Sequence, residues 1–118
     1  MGLNNFPFST GGSERIVSLR PNTIGRSIVG RVSSKSNLRQ RSRENPKLTV
    51  FNIIIQDETA EISVIAWDEV ATKLFDKLRV GQCYRFTMYK VKEISNPAYR
   101  MTEHTCELTL TITFLHIN

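Results

Sequence analysis

Glu61 to Trp67 alternates apolar and polar residues without a slip. Ile62, Val64 and Ala66 share one face and Glu61, Ser63, Ile65 and Trp67 the other, the period-two signature of a half-buried strand. Just upstream, Leu48 to Gln56 is apolar on both parities, with Leu48, Val50 and Ile54 set against Phe51, Ile53 and Ile55. Such a run predicts a central strand covered on both faces. Asp57-Glu58-Thr59-Ala60 joins the two as a tight turn, although it lacks the glycine that short hairpins favour. Ser27 to Ser34 interleaves β-branched Ile28, Val29 and Val32 with Gly30 and Arg31. It predicts a first strand in which Gly30 marks a bulge or bend. The polar stretch Lys35 to Pro46 has no periodicity and predicts a long loop, a length that usually signals function or disorder.

After Trp67 the period lengthens from strand to helix. Val70, Ala71, Leu74, Phe75 and Leu78 fall on one stripe, with Glu69 and Lys73 paired outside it. Asp68 is placed to cap a helix over Glu69 to Leu78, which Val80-Gly81-Gln82 ends. Cys83 to Val91 predicts another strand, Tyr84, Phe86 and Met88 facing one way and Arg85, Thr87 and Tyr89 the other. Glu93 to Pro97 is a turn-rich connection and Tyr99 to Glu103 resumes as a strand. Glu107 to Phe114 alternates strictly, with Leu108, Leu110, Ile112 and Phe114 inward. The order describes an all-β protein: a five-stranded OB-fold barrel with one short helix between strands three and four. Such barrels bind oligonucleotides on the face of strands two and three, between the loop after strand one and the loop joining strands four and five.

Charge singles out the first of those loops. From Arg31 to Lys47, Arg31, Lys35, Arg39, Arg41, Arg43 and Lys47 oppose only Glu44, leaving +5; the whole chain, with 16 basic and 11 acidic residues, also carries +5. Concentrated positive charge suits a polyanion, because each neutralised phosphate releases condensed counterions. The plainer readings are a solvated basic loop or a nuclear-import signal.

Composition narrows the class further. A chain of 118 residues, 40% hydrophobic and 23% charged, has room for one core: a flexible leader over residues 1–14 and a single domain over 15–118. No apolar run approaches the roughly 18 residues of a membrane span, and Met1 to Ser13 lacks the order of a secretory signal. Cys83 and Cys106 fall in strand-like segments and predict buried free thiols in a reducing compartment. With His104 and His116 they give no metal-ligand spacing. No Ser–His–acid or Cys–His set and no phosphate-cradling glycine loop is identifiable, so neither an enzyme nor a cofactor is expected.

Ile24 to Thr109 resembles a single-stranded DNA-binding OB domain of the replication protein A large subunit family, most nearly the first of its tandem high-affinity domains. The matching stretches are GRVSSKSNLRQ (Gly30–Gln40), Lys47–Phe86 and KEISNPAY (Lys92–Tyr99), with RIVSLRPNT (Arg15–Thr23) similar to the approach segment. The family's LVDESGEI…F pattern stands here as IQDETAEI (Ile55–Ile62) followed by Trp67. Telomere-associated and meiosis-specific paralogues share the scaffold. The resemblance implies a nuclear protein acting in replication or repair, with further OB domains in its chain and other subunits around it. It puts the two base-stacking aromatics on Trp67 and Tyr99, basic loop contacts on Lys35, Arg39 and their neighbours, and a base-edge reader on Glu107. Four positions depart from the family. Arg41 stands where a tryptophan is frequent, and could stack by its guanidinium plane or pair with phosphate. Ser63 replaces an arginine, Glu93 a lysine beside Lys90 and Lys92, and Ala60 the turn glycine.

Residue chemistry points the same way. Strand parity puts Trp67 on the polar face, where a ring can stack any base for about 1–3 kcal/mol; the alternative is a cap on the barrel beside the helix. Tyr99 either stacks or packs under the Pro97 loop, whereas Tyr89 reads as structural or as a partner contact. Phe51, Phe75, Phe86 and Phe114 fit the core pattern. Arg39, Arg41 and Arg43 alternate, so an extended loop presents all three to one side, where with Lys35 and Lys47 they position phosphates without reading sequence. The expected DNA-binding set is therefore Lys35, Arg39, Arg41, Arg43, Lys47, Ser63, Trp67, Lys92, Tyr99 and Glu107. A protein-interaction module whose basic groove takes an acidic peptide or a sister subunit is the second class. RNA is a third, since nothing here distinguishes the 2′-hydroxyl.

Overall fold

The computed structural model describes residues 14–21 and 27–111, and the backbone of 115–117. Residues 1–13 of the expected leader, and residues 112–114 with Phe114, lie outside the described residues. The strands are β1 (Ile28–Lys35), β2 (Arg39–Gln40), β3 (Thr49–Gln56), β4 (Glu61–Trp67), β5 (Cys83–Phe86), β6 (Tyr89–Glu93), β7 (Cys106–Leu110) and β8 (Leu115–Ile117). Helix α1 (Asp68–Leu74) lies between β4 and β5, and 3-10 turns occupy Ile16–Ser18 and Pro97–Tyr99. Hydrogen bonding runs in the order β6-β7-β4-β3-β1-β5-β8, with β2 added to β3. β5 and β6 stand near opposite ends of that order, yet only Thr87 and Met88 separate them in the chain. The sheet must therefore curl back on itself, which is the barrel-like OB architecture.

Eight strands stand where five are expected, for three reasons. The expected strand Cys83–Val91 breaks at Met88, whose φ of 54° is rare for a residue with a side chain. β5 then pairs with β1 and β6 with β7. The corner inverts the parity after it: Met88, expected inward, is exposed, and Tyr89, expected on the polar face, is buried. The Tyr89 hydroxyl has no hydrogen-bond partner among the described residues, and burial pushes the phenol up to about 12. The second reason is that a short part of the expected loop, Arg39 and Gln40, is strand. β2 continues along the edge of β3 that β1 occupies, Lys35 opposite Ile53 and Arg39 opposite Val50, with the Ser36 and Arg41 amides donating to the Asn52 and Leu48 carbonyls. The third is β8, which adds to β5.

Conversely, Tyr99–Glu103 is not a strand. Pro97 sits at the start of the 3-10 turn, and the Asn96 side chain accepts from the Ala98 amide; proline's fixed φ favours such a start and its missing N–H could not serve a ladder.

The core is as patterned. Ile62, Val64 and Ala66 of β4 are buried with Phe51, Ile53 and Ile55 of β3, and Phe51 meets Phe75 edge-on at 5.2 Å. Gly30 marks a close approach rather than a bend: a Cβ there would lie 3.0 Å from that of Ile55. The bulge falls instead between Val32 and Ser34. The β3–β4 turn dispenses with glycine because one Asp57 oxygen accepts from the Thr59 amide, the Thr59 hydroxyl and the Ala60 amide. The other accepts from the Ile16 amide at 2.8 Å, tying the N-terminal 3-10 turn to the barrel. Cys83 and Cys106 are buried free thiols. No helix among the described residues is long and apolar enough to cross a membrane.

Candidate nucleic-acid interface

Cross-strand partners share a face of a sheet, so the register defines three rows across the outer face. The first is Arg39–Val50–Trp67. The second is Asn52–Ile65–Thr109–Lys90. The third is Ser34–Ile54–Ser63–Glu107–Lys92. Rows two residues apart are roughly 7 Å from one another. Arg39, Trp67, Ser63, Glu107 and Lys92 thus stand on one surface, brought together from four strands, β2, β4, β6 and β7. Its floor is the half-buried Asn52, Ile54 and Ile65.

Trp67 ends β4 with 41% of its surface exposed. The Arg41 guanidinium lies over its ring, 5.4 Å from the centroid. Arg41 is held there by the next residue along from the tryptophan: its Nε donates to Asp68 Oδ1 at 3.0 Å and its Nη2 to Oδ2 at 2.8 Å, a bidentate pair. Asp68 takes a φ of 54°, a conformation aspartate tolerates better than most residues. Two bonds with Thr49 fix it: the Thr49 amide donates to Oδ1 at 3.0 Å and the Thr49 hydroxyl to the Asp68 carbonyl at 3.3 Å. The carboxylate expected to cap α1 therefore serves β3 and the basic segment, and α1 starts with no side-chain cap. The Arg41 hydrogen bond holds Asp68 below the usual carboxylate range and raises Arg41.

The other basic residues divide. Lys35, on the core side opposite Ile53, reaches the end of the helix. Its Nζ donates to the carbonyls of Phe75 and Leu78 and lies 4.0 Å from the Phe75 ring centroid. That places a cation where helix C-terminal carbonyls favour one, away from the outer face. Arg39 donates to Asn52 Oδ1 at 2.7 Å and Ser36 Oγ at 3.0 Å, which lays its guanidinium along the groove. Arg43 and Lys47 are exposed and make no ion pair among the described residues.

At the far end of the face, Glu107 is half-buried opposite Lys92. Burial pushes its carboxyl up, and the Lys92 ammonium draws it part of the way back. Ser63, between Ile54 and Glu107, is 1% exposed and offers a ligand no surface: pairing of β7 against β4 covers it. Tyr99 closes the Pro97–Tyr99 turn with 74% of its surface exposed. A cavity of about 500 Å³, lined in part by Arg20, Glu61, Glu103 and His104, lies at the same end of β4. His104 is held in it by backbone alone, Nε2 2.8 Å from the Ile16 carbonyl and Nδ1 accepting from the Cys106 amide.

Sequence reasoning missed Asp68, Thr49, Asn52 and Ser36 as the groups that place Arg41 and Arg39. Only the pairing of β2 with β3 brings them together, and a two-residue strand inside a polar stretch leaves no period to read.

Residues 27–114 match the model of a family described as an OB-fold nucleic acid binding domain. The chain belongs to that family, whose RPA-like members are binding domains rather than enzymes. More particularly, it is homologous to part of the replication protein A large subunit and similar to the OB domains of that protein. It is 31% identical over 94 residues to the replication protein A 70 kDa DNA-binding subunit of Xenopus tropicalis, and 32% identical over 98 residues to a counterpart of that protein in Oryza sativa subsp. japonica. These alignments take in 80% and 82% of this chain but 15% and 10% of the relatives. DNA binding domain A of S. cerevisiae replication protein A superposes with a TM-score of 0.72 at 25% identity, over 90% of this chain and 93% of that one. A replication protein A heterotrimer bound to ssDNA has the same fold, with a TM-score of 0.79 at 21% identity over 89% of this chain and 24% of that one.

Proposed function

We propose that residues 15–118 form a single OB module that binds single-stranded DNA, as one part of a replication-protein-A-like large subunit or a telomere-associated paralogue. The observation that carries this reading is the shared outer face: exposed Trp67 shares a row with Arg39, and Glu107 and Lys92 stand two rows along the same face, over a half-buried floor of Asn52, Ile54 and Ile65. A base stacks on Trp67 at one end and on Tyr99 at the other, Arg39, Arg43 and Lys47 hold phosphates, and Glu107 accepts from a base edge. Stacking tolerates every base, and backbone contacts carry no sequence information. One module binds weakly, so neighbouring OB domains in the same chain and other subunits supply affinity through effective concentration. The setting is the nucleus, in replication and repair.

Fluorescence-anisotropy titration of labelled single strands, duplex, RNA and an acidic peptide at two salt concentrations tests this. Tightest binding to single-stranded DNA, weakening with salt, is the expected result. Preference for the acidic peptide, with no single-strand binding at micromolar protein, would replace it with a protein-interaction module.

A further inference from the structure

Stacked groups sit about 3.5 Å apart, so a base inserted between two planes needs them roughly 7 Å from each other. The Arg41 guanidinium, 5.4 Å from the Trp67 centroid, leaves no room for one. On this face, then, the ring proposed to stack bases already carries a cation, and the cation is held by a carboxylate from the adjacent residue.

We propose that Asp68 is an affinity-setting residue: it latches Arg41 over the Trp67 ring, and a single strand must take Arg41 from Asp68 before a base can occupy that face. The inference rests on the single-strand reading above. Three independent features build the latch. Both Asp68 oxygens engage Arg41 in matched geometry. The Asp68 backbone sits at a φ of 54° that aims the carboxylate across to β2 rather than at its own helix. Thr49, on the strand between them, pins Asp68 through both its amide and its hydroxyl.

The phosphate chemistry follows. In the free protein Arg41 is neutralised by Asp68; in the complex it pairs with a phosphate, leaving the carboxylate beside a polyanion. Asp68 thus opposes binding twice, by holding the cation and by its own charge once released. The released carboxylate also gathers a cation from solution, which offsets one of the counterions the strand gives up.

Asp68→Asn is the discriminating variant. Asparagine accepts from the Thr49 amide as aspartate does and is among the side chains that tolerate positive φ, so the turn is kept while the charge is lost. Trp67 is the only tryptophan in the chain, so its fluorescence reports on the latch without any ligand. Asp68→Asn is expected to make Trp67 more accessible to iodide quenching and to tighten binding of an oligo-dT strand roughly two- to fivefold, the factor an exposed ion pair commands. The salt dependence should steepen by about 0.7, the value of one single-strand counterion, because no released carboxylate then gathers a cation from solution. In an Arg41→Ala background the same substitution should give a smaller gain.

Equal or weaker binding by Asp68→Asn, unchanged quenching, or the full gain persisting without Arg41 would overturn the latch. Loss of oligo-dT binding in Trp67→Ala, measured alongside, keeps that failure distinct from failure of the single-strand reading. If wild type and Trp67→Ala bind alike, it is the stacking surface itself that is wrong.

Discussion

The two ends of the outer face are built differently. At the Trp67 end every group is placed by another: Thr49 holds Asp68, Asp68 holds Arg41, Arg41 covers the ring, and Asn52 and Ser36 hold Arg39. At the other end Tyr99 projects from a single 3-10 turn, and Glu107 has only Lys92 to balance its burial. The first end is preorganised, with Arg41 already neutralised by Asp68; the second is open, with Glu107 on its face. A chain-level count of +5 conceals this, because charge is useful to a phosphate only where no internal group has already claimed it.

Replacing the two aromatics separately tests the difference most directly. Trp67→Ala should weaken single-strand binding by roughly five- to a hundredfold, the range of about 1–3 kcal/mol for a stacked base. Tyr99→Ala should cost less, because an ungripped side chain must be ordered on binding; equal losses in the titration would mean that preorganisation at the Trp67 end counts for nothing.

Next in size is the division among the cations. Arg43→Ala with Lys47→Ala should flatten the salt dependence by about 1.4, at roughly 0.7 per single-strand phosphate, and leave thermal stability unchanged. Lys35→Met should do the reverse, costing about 1–2 kcal/mol of stability as the carbonyls of Phe75 and Leu78 lose their donor, with the salt slope kept. A salt slope that follows Lys35 instead would return that lysine to the groove.

The smallest effect concerns Glu107. Its carboxyl is raised above the ordinary value of 4.5, so the fold disfavours its charged form. The penalty is absent below that ordinary value and grows as pH rises through the raised one. Glu107→Gln should therefore gain stability relative to wild type between pH 4 and pH 7.5 in paired melting curves.

Much of the barrel could be read from the chain, and the reasons are local. Ile62, Val64 and Ala66 are buried and Trp67 exposed because nothing interrupts the period-two pattern of β4. The pattern fails where a backbone irregularity resets it: Met88 at positive φ exchanges the faces of the residues that follow it in β6, and no composition signal marks a methionine for that role. Ser63 has the right parity but not the exposure, because parity says nothing of β7 arriving alongside. The basic stretch is visible as charge, yet the allocation of Arg41 and Lys35 depends on partners 27 to 43 residues away. Lys35 looks like a loop cation until the helix end is present to receive it.

The parallel pairing of β4 with β7 has a kinetic consequence. The β3–β4 hairpin can form at once, across a four-residue turn from Gln56 to Glu61. Closure cannot: Ser63 must find Glu107, 44 positions later, and Gly30 must find Tyr84, 54 positions later. Such loops lose much of their entropy before any contact rewards it, and topologies of this kind fold over about milliseconds to seconds. Until closure the hydrogen-bonding edge of β4 stays open, so the interval between hairpin and barrel is when this chain is most exposed to pairing with the wrong strand.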